Sequence, residues 1–194
     1  MNFLTDKIIF FFIKRDIIDE KYVELYKYSL ETRLLSTVVW ISAILLLYRK
    51  IGILASVWII LVVVVLRRRV NGYHVHTPLQ CFLLTELTLG FAVYIILPCV
   101  QNLDIRILVG SFLIEVMLLM ILKTGSHENN PMTEEELRVN NRYLKRNLWH
   151  LLGVAACISY CFKTVLFAHL TYIGVGIVVC TVVFEKLRKG ESSV

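Results

Sequence analysis

The chain has 194 residues, of which 57% are hydrophobic and 19% charged, and its formal net charge is +6. A soluble domain usually has about 45–50% apolar residues and no room to bury this excess, so the composition and a mean hydropathy of +0.69 indicate a membrane protein. The basic residues stand beside apolar segments, which the positive-inside rule explains better than binding to nucleic acid. The five cysteines are odd in number and mostly lie in apolar segments, so they imply neither a disulfide framework nor an extracellular compartment.

The first 33 residues mix large apolar side chains with charged ones, as in an amphipathic helix that lies in the membrane interface. A cytosolic helix packed on the remainder of the protein is the alternative. A cleavable signal peptide is not expected, because the apolar run from Ile8 to Ile13 is too short and is followed by Lys14 and Arg15.

Long apolar runs then predict an all-α, polytopic integral membrane protein with about six spanning helices. We expect one membrane domain over residues 1–194, with four spans in 34–122, a basic cytoplasmic loop and helix in 123–147, two spans in 148–184 and a cytoplasmic tail in 185–194. The spans are placed at about 30–48, 51–66, 79–100, 103–122, 147–165 and 167–184.

The distribution of basic residues sets the predicted orientation. With both termini in the cytoplasm, only Arg49, Lys50, Arg106 and Lys163 of the 21 lysines and arginines would lie near the outer side. The second span is short, and the last two are joined by a tight turn predicted around His169. A four-span arrangement with re-entrant hairpins is therefore the alternative.

Residues 67–81, between the second and third spans, hold the candidate chemistry. Thr77 is a good N-cap, Pro78 is favoured at the first helical position, and Gln80 completes a capping box, so a helix should begin here. Cys81 then lies near the end of the first turn, where unpaired backbone N–H groups and the positive end of the helix dipole favour a thiolate.

A histidine near this cysteine completes a nucleophile and base pair. His74 lies in the loop before the helix, with Gly72 providing backbone freedom, and the boundary at Pro78 allows the loop to fold back toward Cys81. Cys81 is then the nucleophile and His74 its base. His76 competes for the role of base, and His74, His76 and Cys81 also match three zinc ligands, although their spacing is not a strong zinc signature.

The stretch from 123 to 147 begins as a loop and then becomes helical. Thr133 and Glu136 form a capping-box pattern. Four basic residues then recur on one helical face, which we call the basic stripe: Arg138, Arg142, Lys145 and Arg146. The stripe is interpreted either as a contact with lipid headgroups or as a dock for an acidic peptide.

Ionisable residues within or beside apolar spans suggest other functions. Glu86, Arg106, Glu115 and Lys163 are of this kind, and such residues often mark a transport pathway. Glu86 follows Cys81 on the same helix and would orient a histidine or an incoming peptide. A transporter is therefore one alternative, and a scaffold without catalysis, in which Cys81 is dispensable, is another.

The loop around His74 resembles the active-site region of the AgrB family, membrane endopeptidases of peptide quorum sensing in Gram-positive bacteria. The resemblance rests on an Arg, a Gly two residues before the catalytic His, and the catalytic Cys seven residues after it, at Arg67, Gly72, His74 and Cys81. Asn71 stands where a second glycine is common. Chain length, apolar spans and basic central loop are similar to the family over nearly the whole chain.

The resemblance implies a specific reaction. Proteins like AgrB remove the C-terminal tail of an AgrD-like precursor, hold the remaining peptide as a thioester on the Cys, and close a thiolactone or lactone ring. Neither a metal nor another cofactor is expected. The precursor's tail is typically acidic, which favours the basic stripe as its dock. The expected partners are the precursor, the lipid bilayer and, as a further candidate, a second copy of the chain, but not nucleic acid. The active site is expected on the cytoplasmic side of the cell membrane.

Overall fold

The computed structural model describes residues 2–15, 23–70, 78–121 and 133–191, and in that part of the chain every regular element is a helix. The predicted all-α fold is thus confirmed. The helices are α1 (Asn2–Lys14), α2 (Val23–Ile51), α3 (Ile53–Arg67), α4 (Pro78–Phe91), a π-helical turn (Ala92–Ile96), α5 (Leu97–Gln101), α6 (Ile105–Ile121), α7 (Glu134–Phe162) and α8 (Leu166–Glu191). They form two compact units, residues 1–42 and 43–194.

Three stretches of helix within the described residues are long and apolar enough to cross a membrane: Ser29–Ile51, Phe82–Gln101 and Leu166–Leu187. A shorter apolar helix, Ile53–Arg67, falls on the predicted second span. The remaining predicted spans also fall on helices, α6 and the second half of α7. Because neither meets the same criterion of length and composition, the number of six spans stays a prediction.

In the first unit, polar contacts join α1 to the beginning of α2. Thr5 donates a hydrogen bond to Glu31, and the Lys27 ammonium lies 2.6 Å from a carboxylate oxygen of Asp6. The Lys27 ammonium donates a hydrogen bond to Asp6 across this short distance, and that bond raises the pKa of Lys27 above its usual value. Helix α2 continues through residue 33 without a break, where the sequence had suggested a boundary between an amphipathic segment and a span.

The core of the second unit is built around α8, which packs against α3, α5, α6 and α7. Ile59 and Val62 of α3 and Val175 and Val178 of α8 are completely buried. A buried hydrogen bond adds to this packing near the start of α8: the indole nitrogen of Trp58 donates to the hydroxyl of Thr171 at 3.0 Å. Among the described helices of this unit, α3 and α8 therefore form the most extensive contact.

The helix that carries Cys81 changes its winding at the π-helical turn. Pro98 follows this turn, and a proline within a helix has no N–H to donate and clashes with the carbonyl four residues before it. The wider turn accommodates this interruption. Tyr94, within the turn, donates a 2.8 Å hydrogen bond to the carbonyl of Leu46 near the end of α2. The π-helical turn that follows α4 is thus held to the end of α2.

The connection between α7 and α8 lies earlier than the sequence indicated. Helix α7 ends at Phe162, and Lys163 adopts the left-handed conformation with φ of 49°. His169, around which the turn was predicted, lies instead within α8, where its backbone N–H donates to the carbonyl of Val165. The predicted position of the turn was wrong. The turn lies at Lys163, and nothing in the sequence marked it there, because the left-handed conformation usually favours glycine or asparagine.

Candidate functional site

The predicted catalytic segment connects α3 to α4. Arg67 is the last residue of α3, and α4 begins at Pro78, as the capping pattern predicted. Gly72, His74 and His76 lie outside the described residues. Cys81 is described as the fourth residue of α4, and its side chain is outside the described part. The helix start that the thiolate hypothesis requires is thus present, whereas the geometry of a Cys81 and His74 pair stays a prediction.

A cavity of about 1020 Å³ lies among α3, α4, α6 and α8. Helix α4 contributes one wall from Gln80 onward, and Arg67 lies at the end of the α3 wall. By helical periodicity, position 81 shares a face with positions 84, 85 and 88, and the residues at all three line this cavity. This periodicity alone suggests that Cys81 lies at the edge of the cavity, which stays a prediction.

The lining is mostly apolar but includes a carboxyl group on the opposite wall. Glu115 of α6 lies against α8 at Gly176, where an added Cβ would be only 2.8 Å from one of its carboxylate oxygens. The other oxygen is buried and has no hydrogen-bond partner among the described residues. The sequence singled out Glu115 as an ionisable residue of a span, and the structure now places it in the same cavity as the α4 wall. Glu86, also predicted at the site, is half-buried on α4 and does not line the cavity.

Helix α7 holds the chain where it leaves α3 and enters the predicted catalytic loop. The side-chain amide of Asn140 donates a 2.7 Å hydrogen bond to the carbonyl of Arg69 and accepts a 3.4 Å bond from its guanidinium. The Arg69 guanidinium also lies 5.0 Å from the ring centre of Tyr143, within range of a cation–π interaction. Sequence reasoning missed Asn140 and Tyr143, because nothing in a basic helical stretch indicates which of its residues meets a distant loop.

The predicted capping box of α7 is confirmed. The Thr133 hydroxyl accepts a hydrogen bond from the backbone N–H of Glu136, and the Glu136 carboxylate accepts one from the N–H of Thr133 at 2.8 Å. The bonds from the Thr133 backbone and hydroxyl lower the pKa of Glu136 below its usual value. These hydrogen bonds also fix the residue at which α7 begins.

The basic stripe lies on the exposed side of α7. Leu144, Leu148 and Leu151 bury the opposite side. All four stripe residues are exposed: Arg138, Arg142, Lys145 and Arg146. Arg146 stacks on Tyr143 with 4.6 Å between its guanidinium and the ring centre, so the stripe borders the Asn140 contact with Arg69.

The described residues hold no group of three or more His, Cys, Asp or Glu side chains arranged for a metal ion. His74 and His76 lie outside those residues, so the alternative of a zinc site in the loop is not tested by this observation. It stays a separate hypothesis about the loop itself.

The family model of AgrB, accessory gene regulator B, matches residues 5–184, which is nearly the whole chain. No curated protein and no solved structure matches. The matched range includes the whole segment from Arg67 to Cys81 and all of the basic stripe.

Proposed function

Because the chain belongs to the AgrB family, whose role is to process AgrD-type precursor peptides in quorum sensing, we propose that it is a membrane-embedded cysteine endopeptidase. It removes the C-terminal tail of the precursor and closes the remaining peptide into a thiolactone or lactone. Cys81 is the nucleophile and His74 the base. The observation that carries the proposal is the match of the AgrB family model over nearly the whole chain, and it is supported by the position of Cys81 as the fourth residue of α4.

The start of α4 supports the choice of nucleophile. The first N–H groups of a helix have no partner within it and carry the positive end of its dipole. A cysteine near this end is more readily held as the thiolate, which is the reactive form. Pro78 at the first helical position fixes the point at which this environment begins.

The proposed reaction runs in two acyl transfers. His74 takes the proton of the Cys81 thiol, and the sulfur attacks the carbonyl carbon of the bond to the tail. As the C–N bond breaks, His74 donates the proton to the leaving amine, and the peptide stays on Cys81 as a thioester. A thiol or hydroxyl within the peptide then attacks the thioester carbonyl and the Cys81 thiol leaves. The thioester conserves the activation of the cleaved amide, so no oxidant, metal or nucleotide enters the balance.

The reaction takes place at the cytoplasmic surface of the membrane. Arg67, Arg68 and Arg69 stand immediately before the catalytic loop, and such basic clusters are retained on the cytoplasmic side. The contact of Arg69 with Asn140 brings α7 and its basic stripe to the same side of the second unit. The stripe is the dock for an acidic tail, and Gly72 and Glu86 support the loop and the helix around the reacting pair.

Substitution at the proposed pair tests the function. Cys81→Ala should abolish cleavage of the precursor by the purified protein in liposomes, because no sulfur remains to form the thioester. His74→Ala should reduce the rate by at least about a hundredfold, the usual contribution of a positioned base. His76→Ala is the matched control and should keep most of the activity.

The intermediate gives a second measurement. When the ring-closing residue of the precursor is changed to Ala, intact-mass analysis should show an adduct on the enzyme that hydroxylamine removes. Chelators should leave cleavage unchanged. Full cleavage by Cys81→Ala, or activity that is lost in chelator and restored by zinc, would overturn the cysteine-peptidase assignment.

A further inference from the structure

We propose that the cavity beside α4 holds the apolar segment of the precursor on the amino-terminal side of the cleaved bond, and that Glu115 accepts a hydrogen bond from an N–H group of this segment. The proposal rests on the proposed function. It identifies the part of the substrate that the protein retains between the two acyl transfers.

Three polar side chains along the cavity, Thr88, Thr181 and Glu115, are suited to accept hydrogen bonds. The Thr88 hydroxyl donates its proton to the carbonyl of Leu84 at 2.7 Å, and the Thr181 hydroxyl donates to that of Val178 at 2.8 Å. Each hydroxyl therefore uses its one proton within its own helix and keeps oxygen lone pairs for a ligand. The buried Glu115 oxygen without a partner among the described residues adds a third acceptor, in an otherwise mostly apolar lining.

This pattern favours a peptide over a lipid. An acyl chain has no hydrogen-bond donor to offer these acceptors, and the donors that a headgroup phosphate would need, Arg67 and Gln80, lie at one end of the cavity. A peptide supplies one backbone N–H at nearly every residue together with apolar side chains. A carboxyl group placed within apolar spans is expensive and by default indicates a functional contact. An apolar peptide with N–H groups directed at Glu115, Thr88 and Thr181 satisfies both features of the wall.

The length of the cavity agrees with a short extended segment. Its lining on α8 extends from Tyr172 to Phe184. At the rise of an α-helix this is about 18 Å, which an extended chain covers with roughly five or six residues. One end of the cavity is formed by Arg67 and Gln80, next to position 81. A peptide whose scissile carbonyl reaches Cys81 there would extend its preceding residues along the wall toward Glu115.

Gly176 provides the space for the Glu115 carboxylate. A Cβ at this position would come within 2.8 Å of the oxygen at the flexible end of Glu115. Gly176→Ala should thus displace the carboxylate without disturbing the backbone of either helix. It offers a second way to alter the contact while Glu115 keeps its charge.

A native cysteine reports on occupancy. Cys157, Cys161 and Cys180 are all exposed, but of these three only Cys180 lines the cavity. The probe is the AgrD-type precursor that the wild-type protein cleaves, added to full-length Cys81→Ala protein in detergent micelles. We expect it to slow alkylation of Cys180 by N-ethylmaleimide at least about fivefold, measured by mass spectrometry, and to leave Cys157 and Cys161 unaffected.

Substitutions then connect the protection to Glu115. Glu115→Leu should raise the precursor concentration needed for half protection by about tenfold, the effect of one lost hydrogen bond to a buried group. Glu115→Gln keeps an acceptor and should shift it less. Gly176→Ala should shift it in the same direction as Glu115→Leu, with unchanged thermal stability.

The contrary outcomes separate the two proposals. Protection that is the same in Glu115→Leu, or that extends equally to Cys157 and Cys161, would overturn the contact at Glu115. Equal protection of Cys180 by phosphatidylglycerol alone would make lipid the occupant, and a change of oligomeric state in Glu115→Leu would make it a second copy of the chain. Cleavage by the wild type serves only to choose the precursor; because binding is read in Cys81→Ala protein, protection itself requires no catalysis, whereas cleavage by that variant would defeat only the proposed peptidase.

Discussion

Helices α7 and α8 follow one another in the chain and are similar in length, at 29 and 26 residues, but they differ in their surroundings. Helix α8 contacts α3, α5, α6 and α7 and is buried along much of its length. Helix α7 buries a single stripe, which includes Leu144 and Leu148, and exposes its basic face.

The difference indicates how stability and recognition are divided in the second unit. Substitutions on α8 that face α3 should change the stability of the fold, because tightly packed helices have no space to relax. Substitutions on the exposed face of the first half of α7 should change the handling of substrate and leave the fold intact. Glu115 and Gly176, where α6 meets α8, stand between these two cases because they pack against each other and Glu115 is the proposed acceptor of a hydrogen bond from the precursor.

The largest expected effect is at the pairing of α3 with α8. In Gly174→Ala the added Cβ would lie 2.6 Å from Cγ1 of Val62, closer than real Cβ atoms approach other heavy atoms. Small residues allow helices in membranes to approach closely, and overpacking of such a contact costs roughly 1–3 kcal/mol. The variant should unfold at a clearly lower temperature in detergent micelles, as followed by the loss of monodisperse protein.

The matched control for this substitution lies on α7. A Cβ added at Gly153 would meet no atom of the described part of the chain within 4 Å, so Gly153→Ala introduces no clash there. It should keep or slightly raise the unfolding temperature, since alanine favours helix over glycine by about 1 kcal/mol. Equal unfolding temperatures for Gly174→Ala and Gly153→Ala would show that α8 is no more tightly packed than α7.

The next effect should be on processing rather than on folding. In Arg142→Glu with Lys145→Glu, two exposed positive charges of the stripe are reversed. For a precursor with an acidic tail, we expect KM to rise by about tenfold at low salt and the difference to shrink as salt is added, because opposite charges steer and register a partner. The unfolding temperature should remain that of the wild type.

The control for the stripe keeps its charge. Arg142→Lys with Lys145→Arg exchanges the two residue types and should leave KM within about twofold, if the stripe acts through long-range charge as exposed groups do. Unchanged processing by the charge-reversed protein would remove the docking role. The stripe would then be a contact with lipid headgroups.

Local features of the fold could be predicted from the sequence, because they depend on residues close together in the chain. The start of α4 at Pro78 and the capping box of Thr133 with Glu136 are of this kind. The π-helical turn before Pro98 also had a local signal, a proline within an apolar run. The sequence did not indicate that the helix would accommodate this proline by a wider turn.

Features that depend on contacts between distant residues were not predicted. The bond between Asn140 and Arg69 joins residues that are 71 positions apart. The cavity depends on how four helices pack, so Glu115 was recognisable as an unusual residue but not as part of a wall opposite α4. The helix start indicated Cys81 from the residues themselves, whereas the choice of His74 over His76 came from the likeness to AgrB, because residue spacing alone did not make it.

The smallest expected effect is at the beginning of α7. The hydrogen bonds from Thr133 lower the pKa of Glu136 in the folded protein below its value in the unfolded chain. A carboxyl group with a lowered pKa contributes stability that is fully present above its unfolded pKa, about 4.3, and that is lost as the pH falls through the folded pKa. At pH 7, Glu136→Gln should therefore speed amide hydrogen exchange in the first turn of α7 relative to the wild type. At a pH below the folded pKa the two proteins should exchange at similar rates, and amides in the buried part of α8 should show no difference at either pH. An equal ratio of rates at both pH values would mean that the charge of Glu136 does not contribute to the cap and that its hydrogen bonds alone hold the helix start.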